Sequence, residues 1–278
     1  MSAGVLYVVG TPLGNLGDLT ARAADVLRSV HVVAAEDTRR TRGLLHHLDA
    51  HPDLVSFHAH SDPKKLSGLL EQLRGGRTVA LVTDAGTPAI SDPGAELVRG
   101  AHEAGIPVIP VPGPSAVITA LSAAGLPADR FTFLGFPPRK GRDRRELLEA
   151  AASSRWTVVL YEAPTRLTAL LADLIALCGP DRPAVVAREL TKVHEEVRAG
   201  TLTDLMGYYE EHEPRGEVTL VLGGSPETPD VASPDPAAVR ARALALRAEG
   251  LSRRDVVQRL VEELHLPRNE AYRLVTDA

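Results

Sequence analysis

Cysteine is almost absent from this sequence: Cys178 stands alone in 278 residues. That excludes an internal disulfide and a thiolate metal cluster, and it leaves no mark of an oxidising compartment. No apolar run approaches the roughly 18 residues of a membrane span. The stretch Met1 to Gly10 has neither a basic leader nor a small-residue cleavage site, so a cytoplasmic protein with no membrane partner is expected. An excess of positive charge is also missing. With 31 Lys+Arg against 36 Asp+Glu the formal charge is −5, so any nucleic-acid binding must come from local patches. There is no GxGxxG fingerprint, no phosphate loop ending in GK[ST], no GxSxG elbow and no HExxH. His194, Glu195 and Glu196 have ligand chemistry without ligand spacing, and no metal is expected. What is present, 44% hydrophobic and 24% charged residues, describes a soluble globular chain of about two domains.

Short runs rich in strand formers alternate with longer amphipathic stretches. Strands are expected at Val5–Val9, His31–Ala34, Leu54–Phe57, Val79–Val82 and Val108–Val111, and helices at Leu19–Ser29, Thr38–Leu48, Lys64–Leu73, Ala95–Ala104 and Ser115–Ala124. Such alternation predicts an α/β domain over residues 1–124 with a mainly parallel sheet flanked by helices. Further strands are expected at Phe131–Leu134, Thr157–Tyr161, Ala184–Ala187, His194–Ala199 and Glu217–Leu222. Because Arg188 to Lys192 is too short for a crossover helix, residues 125–224 read as a mixed α/β domain with an antiparallel pairing. Four prolines and no apolar periodicity between Gly223 and Pro236 suggest a linker over 225–236. Residues 237–278 then form a small helical extension, with Ser252 as an N-cap. Its arginines, 253, 254, 259, 268 and 273, read more readily as a solvated face than as an RNA contact.

Polar loops follow several of the strands, at the edge where open parallel sheets bind ligands. Gly10-Thr-Pro-Leu-Gly-Asn-Leu-Gly17 permits close backbone approach. Glu36-Asp-Thr-Arg39 gathers two carboxylates and a cation, with Asp37 or Thr38 as a helix cap. Thr83-Asp-Ala-Gly-Thr-Pro-Ala-Ile-Ser-Asp-Pro-Gly94 places Asp84 at a strand end to accept hydrogen bonds from a ligand. Asp92 and Pro93 in the same loop read as an ordinary helix start. Pro112-Gly-Pro-Ser-Ala116 offers Ser115 as a cap and ligand contact. Phe136 to Arg145 carries five cations against one acid, a mobile arm suited to phosphates.

Taken in order, GTPLGNLGDLT, AAEDTRRTRGLL, VTDAGTPAISDPG, PVPGPSA, FLGFPPRKG, YEAPTRL, ARELTKVHEE and RGEVTLVLGG resemble the bacterial small-subunit ribosomal RNA cytidine 2′-O-methyltransferase family of the tetrapyrrole-methylase superfamily. Thr83 stands where that family commonly has serine. The resemblance implies a two-domain tetrapyrrole-methylase-like fold with S-adenosylmethionine (SAM) in the interdomain cleft. It also implies a homodimer and methylation of a cytidine ribose in the decoding region of 16S rRNA, with the 30S subunit as partner. Carried over by position, SAM contacts Pro12, Leu13 and Gly14; Asp84, Gly86 and Thr87; Ser115 and Ala116; and Tyr161, Ala187 and Thr219. Phosphate contacts are expected from Arg39, Arg40, Arg139, Lys140 and Arg142.

Activation of a ribose hydroxyl calls for a base or a cation, and Glu36, Asp37, Glu162, Glu189 and Lys192 are candidates. Lys192 is a base if its pKa is depressed, an electrostatic anchor if not, or a structural partner of Glu189, Glu195 or Glu196. Two alternatives stand beside this reading: a tetrapyrrole (precorrin-type) methylase, and a non-catalytic SAM- or RNA-binding module.

Overall fold

The computed structural model describes residues 4–59, 61–226, 236–264 and 272–275. The chain divides into two compact units, Met1–Ser225 and Pro226–Ala278. In the first, strands β1 (Leu6–Val9), β2 (Val32–Ala35), β3 (Asp53–Ser56), β4 (Val79–Val82) and β5 (Val108–Val111) form a five-stranded sheet in the order β3-β2-β4-β1-β5. Every pairing in it is parallel, as the strand and helix alternation predicts. The crossovers contain α1 (Ala21–Ser29), α2 (Thr38–His47), α3 (Pro63–Arg74) and α4 (Ala95–Glu103), and α5 (Ala116–Ala124) follows β5.

Alternate residues of the strands feed opposite faces. Val33, Ala35, Ala80 and Val82 pack with Leu27 and Leu45, whereas Val32, Ala34, Val79 and Leu81 pack with Leu69, Leu73 and Leu97. Both faces being covered explains why these strands read as continuous apolar runs. Because the strands run the same way, the loops after β1, β2, β4 and β5 leave from one edge.

The second sheet, β6 (Phe131–Phe133), β7 (Thr157–Glu162), β8 (Pro183–Arg188), β9 (Glu196–Thr201) and β10 (Val218–Leu222), has the order β6-β7-β10-β8-β9. Only β6 and β7 are parallel, and β8 pairs antiparallel with β9 across the short segment that has no room for a helix. One face is buried by α6 (Arg142–Ser153), α7 (Leu167–Cys178) and α8 (Leu202–Glu211) through Leu148, Leu170, Leu171, Leu174 and Leu205. The other, with Val159, Val185, Ala187 and Val221, packs on Val117, Ala120, Leu121 and Ala124 of α5. That helix follows the last strand of the first sheet and packs on the second, joining the two.

Two local expectations change. Helix α4 is capped by Gly94 at φ 128° with no side-chain hydrogen bond, so Asp92 and Pro93 precede the helix instead of starting it. The turn uses the glycine's positive φ, and the Asp92 carboxyl is left for the cleft. The basic segment 136–145 is only partly a loop, because Arg142, Arg144 and Arg145 lie in the first turn of α6.

In the second unit, α9 (Pro236–Ala248), α10 (Arg253–Leu264) and helical residues 272–275 enclose Val239, Ala243, Leu246, Val256, Leu260 and Leu274. Ser252 caps α10 by accepting from the Asp255 N–H at 3.3 Å. Arg268 and most of the proline-rich segment, 227–235, lie outside the described residues. Among the described residues no helix is long and apolar enough to cross a membrane.

Candidate active site

The rim supplied by the first sheet is fixed by backbone. Thr11 and Gly86 exchange N–H to carbonyl hydrogen bonds of 2.9 and 3.0 Å, tying the β1 loop to the β4 loop. A Cβ on Gly10 would lie 2.8 Å from Gly113 Cα, and one on Gly113 would meet Gly10 equally closely. The β1 and β5 loops therefore touch main chain to main chain, which no residue but glycine permits. Asp37 caps α2 as expected, its Oδ1 accepting from the Arg39 N–H at 2.8 Å.

Between this rim and the second sheet lies a cavity of about 340 Å³. Leu13, Asp84, Gly86, Thr87, Ser115, Ala116, Tyr161 and Thr219, expected to contact SAM, line it together with Glu36, Arg40, Asp92 and Phe136. A neighbouring cavity of about 360 Å³, sharing Leu13, Arg40, Asp84 and Glu217, is lined by Pro12, Gly14 and Lys192. Of the eleven residues expected at SAM, Ala187 alone lines neither. It pairs with Thr219 in the sheet and is buried against α5, so it stands behind the wall. Ser115 precedes α5, yet its hydroxyl does not cap the helix.

Charge inside the cleft is mostly negative. Asp84 Oδ1 accepts from the Asp37 N–H at 2.9 Å, and Arg40 Nε stands 3.7 Å from Oδ2. Burial still raises the pKa of Asp84, with the N–H and Arg40 opposing it and Glu36 adding to it. Thr83 Oγ1 donates to Glu36 Oε2 at 2.7 Å. Beside Arg40, the cation of the neighbouring cavity is Lys192, whose Nζ lies 2.8 Å from Glu189 Oε1 and 3.2 Å from Glu217 Oε2. Burial alone would depress its pKa, but the two carboxylates outweigh that and raise it. Lys192 is thus held as an ammonium between two carboxylates. Its stem crosses the β1 loop so closely that a Cβ on Gly14 would lie 2.4 Å from Lys192 Cγ. Glu189 and Thr191 hold positive φ values of 50° and 68°, a backbone strain that such sites commonly store.

The remaining expected groups are distributed differently. Asp37 is bound by Arg39 Nε and Nη2 at 3.1 and 2.7 Å, and that guanidinium holds its carboxyl at about 2. Glu162 is buried with Arg166 at 3.1 Å and Arg144 at 3.8 Å. Those arginines donate to the carbonyls of Pro137 and Pro138 at 2.7 and 3.1 Å and so anchor the basic loop. Arg139 and Lys140 line a separate cavity of about 420 Å³ with Arg144 and Arg145. Arg142 is exposed and pairs with Glu146. Arg40 belongs to the cleft itself, whereas Arg39 is exposed beside it. Sequence reasoning passed over Asp92, Glu217 and Arg166, although all three fall within or beside the motifs already singled out.

Residues 5–206 match the family of Tetrapyrrole (Corrin/Porphyrin) Methylases. A solved uroporphyrin-III-C-methyltransferase from Thermus thermophilus is 29% identical, with a TM-score of 0.57 over 79% of this chain and 94% of that one. Another structure of a uroporphyrin-III C-methyl transferase from the same organism, complexed with S-adenyl homocysteine, has 22% identity and a TM-score of 0.56 over 79% and 97% of the two chains. It speaks for the fold. Sheets, cleft and loops thus define a methyltransferase of the tetrapyrrole-methylase class.

The curated relatives narrow that class. The ribosomal RNA small subunit methyltransferase I of Synechocystis sp. is 47% identical over 98% of this chain and 97% of its own length. Its namesake from Escherichia coli O157:H7 is 48% identical over 80% and 79%. The chain belongs to the ribosomal RNA small subunit methyltransferase I family.

Proposed function

We propose that this enzyme transfers the methyl group of S-adenosylmethionine to the 2′-hydroxyl of a cytidine ribose in the decoding region of 16S rRNA. One observation carries the reading: family membership over nearly the whole chain coincides with a cleft whose lining gathers eight of the eleven residues expected at the methyl donor. SAM supplies an electrophilic methyl on a sulfonium. The lining fits such a group, because apolar Leu13, Ile90 and Ala116 alternate with hydrogen-bonding Thr87, Ser115 and Thr219, and Glu36, Asp84 and Asp92 favour a cation. Pro12, Leu13, Gly14, Asp84, Gly86, Thr87, Ser115, Ala116, Tyr161 and Thr219 hold the donor, and Ala187 backs Thr219.

Lys192 supplies a fixed positive charge where negative charge develops on the attacked ribose oxygen. Glu189 holds that ammonium in place, and Glu36 fixes Thr83. The RNA backbone is met by Arg39, Arg40, Arg139, Lys140 and Arg142 despite the net negative charge. The protein acts in the cytoplasm, as a homodimer.

Tritiated methyl transfer from SAM to 30S subunits and to naked 16S rRNA, both from cells lacking this protein, tests the reading. The expected product is a 2′-O-methylated cytidine in the decoding region. Donor binding without transfer to either RNA would overturn it.

A further inference from the structure

Phe136 is left open where an aromatic ring gains most from being covered. Aromatics make up 4% of this chain, yet Phe136 is 56% exposed and stands on the lining of the cavity of the proposed methyl donor. Ile90, about half exposed, lines the same cavity from the β4 loop. The Phe136 ring packs on Tyr161 with centroids 5.2 Å apart and planes tilted by 54°, and Tyr161 packs edge-on against Phe133 at 4.9 Å. Phe133 and Tyr161 are partly buried against α5, so the row of three rings opens to solvent at Phe136.

The backbone that presents Phe136 is pinned on both sides. Before it, Gly135 turns at a φ of 65° and its carbonyl accepts the Tyr161 N–H at 2.9 Å. After it, the carbonyls of Pro137 and Pro138 accept from Arg166 and Arg144 at 2.7 and 3.1 Å. Both guanidiniums are in turn fixed by the buried Glu162, and the two prolines have little freedom in φ. The ring is therefore held out in one place and not left there by a loose loop. Three residues further on, Arg139 and Lys140 line the basic cavity at the start of α6. Three residues of chain span at most about 10 Å, so one segment offers an aromatic face and cations side by side. Proteins bind unstacked nucleotides with that pairing, the ring taking the base and the cations the phosphates.

The reaction calls for such a surface. A nucleotide stacked within folded RNA cannot bring its ribose hydroxyl into a cavity of about 340 Å³, and leaving the stack costs it the contacts of its base. We infer that Phe136 is the stacking platform for the base of the nucleotide being methylated, replacing those contacts at the mouth of the cleft while Arg139 and Lys140 take the adjoining backbone. This rests on the ribose-methylation reading above. The position favours the acceptor over the donor, since Phe136 is the most exposed of the three rings. The cations that follow it in sequence repel a sulfonium and attract a polyanion. Stacking is indifferent to which base is presented, so Phe136 supplies affinity and alignment and leaves the choice of base to other contacts.

The test compares wild type with Phe136→Ala, Phe136→Leu and Phe136→Tyr in methyl transfer to whichever of 30S subunits and naked 16S rRNA is the better substrate. S-adenosylhomocysteine affinity is measured by calorimetry, and RNA binding is followed against salt. Phe136→Ala and Phe136→Leu are expected to lose roughly tenfold or more in kcat/KM for RNA, with S-adenosylhomocysteine affinity within about threefold of wild type. Phe136→Tyr, which keeps the aromatic face, is expected to stay within about threefold in both. The salt dependence of RNA binding should be unchanged in Phe136→Leu, because no phosphate contact is removed, and should flatten in Arg139→Ala with Lys140→Ala. Should Phe136→Ala fail to fold, the leucine and tyrosine variants decide alone, since both fill the space on Tyr161. A kcat/KM in Phe136→Leu as high as in Phe136→Tyr makes the ring a packing group and overturns the inference while leaving the ribose-methylation reading intact. Loss of S-adenosylhomocysteine affinity to the same degree as RNA activity makes it a donor contact and overturns it equally. A wild-type enzyme that methylates neither RNA overturns the functional reading and this inference together.

Discussion

The two sides of the cleft are built by different physics. On the first side the loops are held by main chain, through the Thr11 and Gly86 pair and the contact of Gly10 with Gly113. On the second they are held by charge: Glu162 between Arg144 and Arg166, and Lys192 between Glu189 and Glu217. A backbone contact fixes position and tolerates no added atom, whereas an ion pair tolerates shape changes and fails when one charge is removed. The first side suits a small donor of constant shape. The cations proposed to meet phosphates come from both sides, Arg39 and Arg40 from α2 and Arg139, Lys140 and Arg142 from the segment before and into α6.

The largest effect that separates the two sides is expected at Glu162. With its side chain fully buried and Arg144 nearly so, Glu162→Ala leaves the Arg166 guanidinium without its anion and Arg144 with Asp173 alone, and the loss of unfolding free energy should be about 3 kcal/mol. Urea denaturation measures it, and a loss below about 1 kcal/mol would mean that water replaces the carboxylate. Next comes Gly10→Ala. The new methyl meets backbone that cannot rotate away, so about 2 kcal/mol of destabilisation is expected from forcing the two loops apart, with donor affinity reduced as well. Because no charge is involved, that loss should not change with salt. A substantial dependence on sodium chloride would erase the distinction drawn here.

Lys192→Met is expected to cost little stability, below about 1 kcal/mol, since both of its pairs are partly exposed. Methyl transfer should nevertheless fall by roughly a hundredfold if the ammonium stabilises the reacting oxygen. Comparable rates in the variant and wild type would reduce Lys192 to a structural pair.

Periodicity made the architecture legible. The runs at 79–82 and 108–111 coincide with β4 and β5, and the seven residues between β8 and β9 are too few for a crossover helix and make an antiparallel return. The loops that converge on the cleft were also legible, since glycine and proline after a strand limit what a backbone can do. Asp92 was hidden by its neighbours: Asp-Pro-Gly carries every local sign of a helix cap, and only the positive φ of Ala89, Ser91 and Gly94 reveals that the loop turns its carboxyl elsewhere. Glu217 was missed for another reason. An ion pair between distant segments, such as Lys192 with Glu217, leaves no trace in spacing.

The smallest effect concerns pH, and it has opposite signs on the two sides. Glu189 is lowered by the Lys192 hydrogen bond and Glu196 by Tyr209 and Arg188 against burial, so both bind protons less tightly folded than unfolded. Their stabilisation is present above the ordinary pKa near 4.5 and drains as pH falls through the lowered folded value. Asp92 behaves in reverse. Its pKa is 3.8 ordinarily and about 6 when folded, so its carboxylate destabilises the fold increasingly as pH rises between those values and fully above them. Asp92→Asn should therefore be more stable than wild type at pH 8 by about 1 kcal/mol, after allowance for the side chain's partial exposure. The advantage should vanish near pH 4. Thermal denaturation at both pH values measures the difference, and a variant less stable than wild type at pH 8 would show that the Asp92 carboxylate is held by contacts that the cleft does not otherwise reveal.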